Sequence, residues 1–553
     1  MHPAAIPSGT ELPSVRTALP GPLGRSLVDA LADHECPGLT ARRRRRAEAT
    51  GASHDPVVWT AARGANVADV DGNVYVDLTA GFGAALIGHT HPRVVAAVRA
   101  QSERMLHALG DVYPSDVKVA LERRLAAMAP WPARVILGLS GADAVEAGLK
   151  TARLHTKRAG VLAFEGAYHG LSYGAVAACG YREAFRVPFA GQLNPAVRFA
   201  PYPSRAGEMS ASLRSVDVVL AAGDIGAVLV EPVLGRGGVV VPPAGFLAAL
   251  GERAAAAGAA LVVDEIYTGL HRTGPRFRSV AEGCAPDVIC LGKALGGGVP
   301  VSACLIREDV ARAWGESVGE AIHTSTFLGN PLACAAAMAA LDVIDAPETR
   351  ADIARASATL ARVLGATGLT VTAVGLLAAV RLGAPGRAIG VMRALLERGY
   401  VALPGGADAD ALWAAGTPPD AALAVRDRTL LGWRFDRGPV PPTRYLELRD
   451  RASGTLRAWF ACQVEERMLH VGDYWSCDGA RGTSRAAIDA LLGAARRDGH
   501  VAVSVQLAGA APVLAGWLGA GFQARGMRPV YGRWFERAMP APGLQLTAVD
   551  EDE

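Results

Sequence analysis

The stretch LVVDEIYTGLHRTGPRFRSVAEGCAPDVICLGKALGGGVPVSA, residues 261–303, decides how this chain is read. It opens with a short apolar run, 261–263, that suits a buried strand, and breaks abruptly into two carboxylates, Asp264 and Glu265. Acids at the mouth of a buried strand mark a candidate site. A second run of the same kind, 287–291, delivers Lys293 into a glycine-rich turn, 296–298, followed by Pro300. One acid and one lysine thus stand at the ends of two such strands, where open α/β sheets collect their ligands.

The flanking sequence repeats the pattern. Residues 134–139, 161–164 and 227–230 read as buried strands, and helical segments such as 246–256 lie between strands, which predicts an α/β fold with a mostly parallel sheet and helices on both faces. Ser140-Gly141-Ala142 opens a helix running to about Lys157, and its unpaired amides and positive dipole end suit a phosphate. Residues 59–78 alternate apolar and polar around Asp71-Gly72-Asn73, a β-hairpin signal.

Composition narrows the function classes. At 553 residues the chain exceeds what one core usually holds, so two or three domains are expected. A formal charge of +3 is small for this length and makes no case for a nucleic-acid partner; the basic block 42–46 reads as a solvated helix face. No stretch is long and apolar enough for a membrane span, and the N-terminus lacks the pattern of a secretory signal. The eight cysteines show no metal-ligand spacing, which suggests reduced core thiols in a cytoplasmic protein.

Asp264-Glu265 with Thr268-Gly269, then Arg272-Thr273-Gly274, then Lys293 to Gly298 resemble the signature of the class III aminotransferases, the 4-aminobutyrate/ornithine/acetylornithine type. These are pyridoxal-phosphate enzymes of fold type I. The resemblance implies that Lys293 forms the Schiff base with pyridoxal 5'-phosphate and then moves protons, and that Asp264 pairs with the cofactor's ring nitrogen. It implies a ring stacked on Tyr168 and packed by Ile266, with Tyr267 where the family commonly carries a glutamine near the cofactor's phenolic oxygen. The phosphate would be held by Gly141, Ala142 and, from a second copy of the chain, Thr326, so that a homodimer shares its active sites. Phe82, in the loop 81–92, is a candidate for the substrate pocket, whereas His89 and His91 in the same loop are expected to brace it. Ile266 follows Asp264 by two residues and would share its side if the strand persists.

Departures from the family pattern bear on the substrate. Leu171 stands where many relatives carry an arginine after His-Gly, and no arginine occurs from Tyr400 to Val425, where another is usual. Arg236 replaces a glutamate. It is either the charge that meets an anionic substrate group or the partner of an acid such as Glu265 or Glu231. Aminotransfer is the leading expectation; an aminomutase, racemase or decarboxylase would use the same lysine and acid.

Residues 424–540 do not follow that fold. They read as a strand pair (445–448, 456–463), a helix 484–497, a strand 501–507 and a helix 512–518; the segment LGAGFQARG, 518–526, resembles the C-terminal part of a GNAT acyltransferase, as do 431–435 and the glycine-bounded helix after 480–482. That resemblance implies acyl-CoA as a second ligand and an enzyme that aminates and then N-acylates, although the turn 480–485 is a poor copy of the coenzyme A loop. The expected organisation is an arm, 1–50; a large cofactor-binding domain, 51–330, which includes the hairpin; a small domain, 331–423; the GNAT-like domain, 424–540; and an acidic tail, 541–553.

Overall fold

The computed structural model describes residues 6–37, 56–316, 319, 321–382, 387–403 and 405, and beyond them the segments 444–449, 456–465, 468–476, 485–497, 502–505, 507–508 and 546–547. The basic block 42–46, the stretches 408–425 and 431–435, most of the turn 480–485 and residues 512–526 lie outside the described residues. The chain divides into two compact units, one formed by 1–35 and 55–407 and the other by 36–54 and 408–553.

A seven-stranded sheet organises the first unit, in the order Ala133–Gly138, Ser302–Arg307, Val288–Leu291, Ala260–Asp264, Ile225–Val230, Gly160–Phe164, Val197–Ala200. The strand Ser302–Arg307 is antiparallel to both its neighbours, and the pairs from Val288–Leu291 to Val197–Ala200 are parallel. The alternation of side chains along a strand explains why these runs are apolar throughout. Val228, Val230, Leu261 and Val263 pack on one face with Phe246 and Leu250 of the helix Phe246–Ala256. Ala227, Leu229, Ala260 and Val262 pack on the other with Ala144 and Val145 of the helix Gly141–Thr156. Each such valine or leucine, fully buried, contributes about 1.5–3 kcal/mol. Both faces are therefore covered, and only the strand ends remain for chemistry.

At the front of the unit the expected hairpin is larger than the sequence pattern indicated. Trp59–Arg63, Asn66–Asp69 and Val74–Asp77 form three antiparallel strands, because the chain also reverses at Gly64, where φ is +55°. Tyr400 and Val401 add in parallel beside Val76 and Asp77. The strand Leu377–Arg381 pairs antiparallel with Thr370–Val374. His89 Nε2 donates to Asp77 Oδ2 at 2.8 Å, and the His91 side chain accepts from the Arg93 amide at the start of the helix Pro92–Arg104, so both histidines brace the loop. The described cysteines are all free, and six of them are buried.

In the second unit, Arg444–Arg449, Leu456–Glu465 and Met468–Ser476 run antiparallel in succession. The helix Arg485–Arg497 follows, and Ala502–Val505 returns parallel to Met468–Ser476. Phe460, Leu469, Ile488 and Leu491 form its core. The strand Met468–Ser476 had no counterpart in the sequence reading, because its charged and polar residues break the apolar alternation.

Candidate active site

Several of these strands end at one place. The strand Ala133–Gly138 leads to Gly141, Gly160–Phe164 to Tyr168, Ile225–Val230 to Glu231, and Val288–Leu291 to Lys293, while Asp264 closes its own strand. Parallel strands of a sheet all present their carboxyl ends on one edge, which is how residues more than 150 positions apart come to face one cleft.

Asp264 is buried, and its Oδ2 lies 2.8 Å from Nδ1 of His169, itself buried. A carboxylate can only accept, so the imidazole donates. The other oxygen, Oδ1, accepts the Ile266 amide at 3.1 Å. With both oxygens engaged the carboxylate is held in one orientation. The strand ends at Asp264, so the condition under which Ile266 would share its side is not met. Ile266 instead sits in the following turn, packed across both loops of the site. A Cβ on Gly141 would stand 2.8 Å from its Cδ1, and one on Gly292 would stand 3.3 Å from its Cγ2.

Lys293 begins a short 3-10 turn, Lys293–Gly296, with a left-handed φ of +42°, a conformation that costs energy for a residue with a Cβ and recurs at functional sites. Its ammonium lies 4.4 Å from the ring centroid of Tyr267. Burial pushes its pKa below the usual lysine range, against the pull of Asp264 and Glu231 and with the push of Arg272 and Arg236. A less basic amine is a better nucleophile at neutral pH.

Glu231, named from the sequence only as an acid that Arg236 could meet, clamps two loops. It accepts the Tyr168 amide at 2.8 Å and the Gly235 amide at 3.1 Å. Its carboxyl is pushed up to about 7, burial being the main cause, with His169 opposing and Asp264 reinforcing. Glu265 points away from the cleft, bonded to Thr268 and, at 2.7 Å, to both the amide and hydroxyl of Ser279. It is a structural acid. Burial raises its pKa, with the hydrogen bonds of Thr268 and Ser279 opposing. The signal that found Asp264, an acid at the end of a buried strand, also fits Glu231. His169, beside Tyr168, carried no such signal.

Arg236 makes no ion pair among the described residues. Its guanidinium lies 4.3 Å from the centroid of the Tyr168 ring and 5.6 Å from that of Tyr181. The alternative of a salt bridge to Glu231 or Glu265 is thereby corrected, since both acids are taken by other donors. Arg272 is buried, donates to the carbonyl of Gly83, and lies 5.8 Å from the Tyr267 ring. Phe82 is exposed with φ +58°, and Thr326 is exposed in the turn before the helix Pro331–Ile344.

The helix Gly141–Thr156 opens with a capping box: Ser140 Oγ accepts the Asp143 amide at 3.3 Å, and Asp143 Oδ2 accepts the amides of Leu139 at 2.9 Å and Ser140 at 3.0 Å. The first-turn amides of Gly141 and Ala142 have no intrahelical partner and are available to an anion. A buried, locked carboxylate, a lysine of lowered basicity and an anion-binding helix start are the donor set that pyridoxal phosphate requires. When bound, the cofactor supplies the aldehyde and the electron-withdrawing ring through which an amino group is exchanged.

Sheet order and donor set together define an α/β transferase of the fold type I, pyridoxal-phosphate kind. The sequence profile of the aminotransferase class-III family matches residues 48–410. The acetylornithine aminotransferase of Methanopyrus kandleri is 42% identical over 293 residues, 53% of this chain and 71% of that protein. A thermostable (S)-enantioselective omega-transaminase from Thermomicrobium roseum superposes with a TM-score of 0.63 at 27% identity, over 69% of this chain and 92% of that one. A PLP-bound amine transaminase from an uncultivated Pseudomonas species gives 0.59 at 28% identity, over 64% and 89%. The chain belongs to the class III aminotransferases and is a pyridoxal-phosphate-dependent aminotransferase.

Proposed function

We propose that Lys293 is the lysine that carries the cofactor, that Asp264 pairs with its ring nitrogen, and that Gly141 and Ala142 hold its phosphate. The observation that carries this reading is the convergence of a doubly bonded, buried Asp264 and the Lys293 amine at the ends of adjacent parallel strands. An ionised Asp264 keeps a ring nitrogen protonated, and the His169 contact keeps Asp264 aimed. Tyr168 offers the stacking face, and Ile266 and Tyr267 complete the walls. Borohydride reduction followed by peptide mass mapping tests it: a pyridoxyl adduct on Lys293 is expected, and an adduct on any other lysine refutes it.

The donor is an ω-amine that carries a carboxylate elsewhere in the molecule, acetylornithine and ornithine being members of that class. Arg236 supports this, because its charge is unpaired among the described residues and its planar fork suits a carboxylate. A donor and acceptor screen with keto-product detection tests the class, and turnover confined to amines without a carboxylate refutes it.

The active unit is a homodimer in which Thr326 reaches the phosphate of the other copy. Support comes from exposed apolar side chains on two touching segments, Leu106, Leu109, Val112 and Tyr113 beside Ile322 and Phe327, with His107 and Phe327 rings 5.3 Å apart. A face of this kind is normally covered. Sedimentation of a fully active monomer would refute it. The free buried cysteines support a cytoplasmic setting.

A second reading adds an N-acyltransferase in the C-terminal unit, using acyl-CoA. The order of three antiparallel strands, a helix and a returning parallel strand favours it. Acyl-CoA consumption that depends on an amine acceptor tests it, and absence of coenzyme A binding by the full chain refutes it.

A further inference from the structure

We propose that Tyr267 is a positioning residue for Lys293, its ring face being the seat on which the lysine ammonium rests whenever the amine is not bonded to the cofactor. This rests on the reading of Lys293 as the cofactor lysine. The ammonium stands 4.4 Å from the ring centroid, within cation–π range.

The ring is held from several sides. One edge lies against Gly235, where a Cβ would stand 2.5 Å from Tyr267 Cδ1, and the other against Gly83, where it would stand 2.7 Å from Cε2. Gly235 has no left-handed φ to explain its glycine; the ring explains it. Tyr267 also packs on the apolar cluster of Val233, Val239 and Leu377. Its hydroxyl has no hydrogen-bond partner among the described residues, so the π-face is the part that meets Lys293.

The charged groups around the lysine leave a task for that face. Asp264 and Glu231 attract the ammonium, Arg272 and Arg236 repel it, and burial disfavours it. Asp264 is already bonded twice and Glu231 twice, so neither carboxylate has turned to pair with the amine. An aromatic quadrupole attracts a cation without forming an ion pair that would have to break before the amine reacts. The released lysine is thereby held close to the reacting centre with no carboxylate partner to leave.

The test is trace labelling of the full-length, cofactor-free protein with acetic anhydride across a pH series, with acetylation at Lys293 read by mass spectrometry. Tyr267→Phe keeps the face and is expected to match the wild-type midpoint. Tyr267→Leu keeps an apolar wall but loses the quadrupole, and its midpoint is expected to fall by about half a pH unit, roughly a threefold change in neutral fraction. Tyr267→Met provides the same comparison if the leucine variant does not fold. An unchanged or raised midpoint without the ring overturns the proposal, as does an equal shift in the phenylalanine variant. Pyridoxal phosphate added to wild-type protein should shield Lys293 from the label. Failure of that shielding would refute the cofactor-lysine reading, whatever the variants show.

Discussion

The His169 imidazole donates to Oδ2 of Asp264 at 2.8 Å across 95 positions of sequence, and both side chains are buried. The bond spans two strands that are not neighbours in the sheet, since Ile225–Val230 lies between Gly160–Phe164 and Ala260–Asp264. A charge-assisted bond inside the protein sets the direction of the Asp264 carboxylate.

Asp264→Asn removes the charge while nearly preserving shape. A lost charge-assisted contact of about 1.5–3 kcal/mol, felt in the transition state, lowers kcat about tenfold to more than a hundredfold. Steady-state kinetics, with the cofactor confirmed on the lysine by reduction, checks this. Wild-type turnover in the variant would remove Asp264 from its role.

Gly235→Ala drives a methyl to 2.5 Å from Tyr267. Overpacking of this kind destabilises by about 1–3 kcal/mol, measured by urea denaturation. Combining it with Tyr267→Leu should recover much of that loss, because the smaller side chain vacates the space. Strict additivity in this double-mutant cycle would show that the two residues do not collide.

Arg236→Glu should raise KM for carboxylate-bearing donors about tenfold or more, the loss expected for one charge-assisted bond, with little change for neutral amines. Equal impairment of both classes, or a fall in Tm alone, would make Arg236 a structural partner of Tyr168.

Asp345 ties three elements together, with Arg276 at 3.0 Å, Arg124 at 3.2 Å and His271 at 3.8 Å. Burial alone would raise its carboxyl pKa, but His271, Arg276 and Arg124 hold it well below the usual carboxylate range. A depressed folded-state pKa contributes stability that is fully present above the unfolded value, near pH 4, and is lost as pH falls through the folded value. Asp345→Asn should therefore cost about 1–2 kcal/mol at neutral pH, and the gap from wild type should close progressively below about pH 4. A gap that stays constant with pH in denaturant titrations would show that the charge is not what stabilises.

Asp264, Lys293 and the start of the helix Gly141–Thr156 were legible in the sequence because each is a local event. An apolar run long enough for a buried strand, broken by a charged or small residue, marks a strand end wherever it occurs, and two of these ends, at Asp264 and Lys293, lie in the segment that carries the resemblance to the class III aminotransferases. The sheet class followed from the same runs. What the local pattern could not encode was which distant side chains meet. His169 and Glu231 join Asp264 only because their strands are brought to one edge of the sheet. Gly83 and Gly235, 152 positions apart in the chain, close on opposite edges of Tyr267, and Arg236 settles on Tyr168 because Glu231 clamps both backbones. Strand ends are set by neighbours along the chain, whereas pairings in the cleft are set by sheet order and packing, and those only the tertiary structure decides.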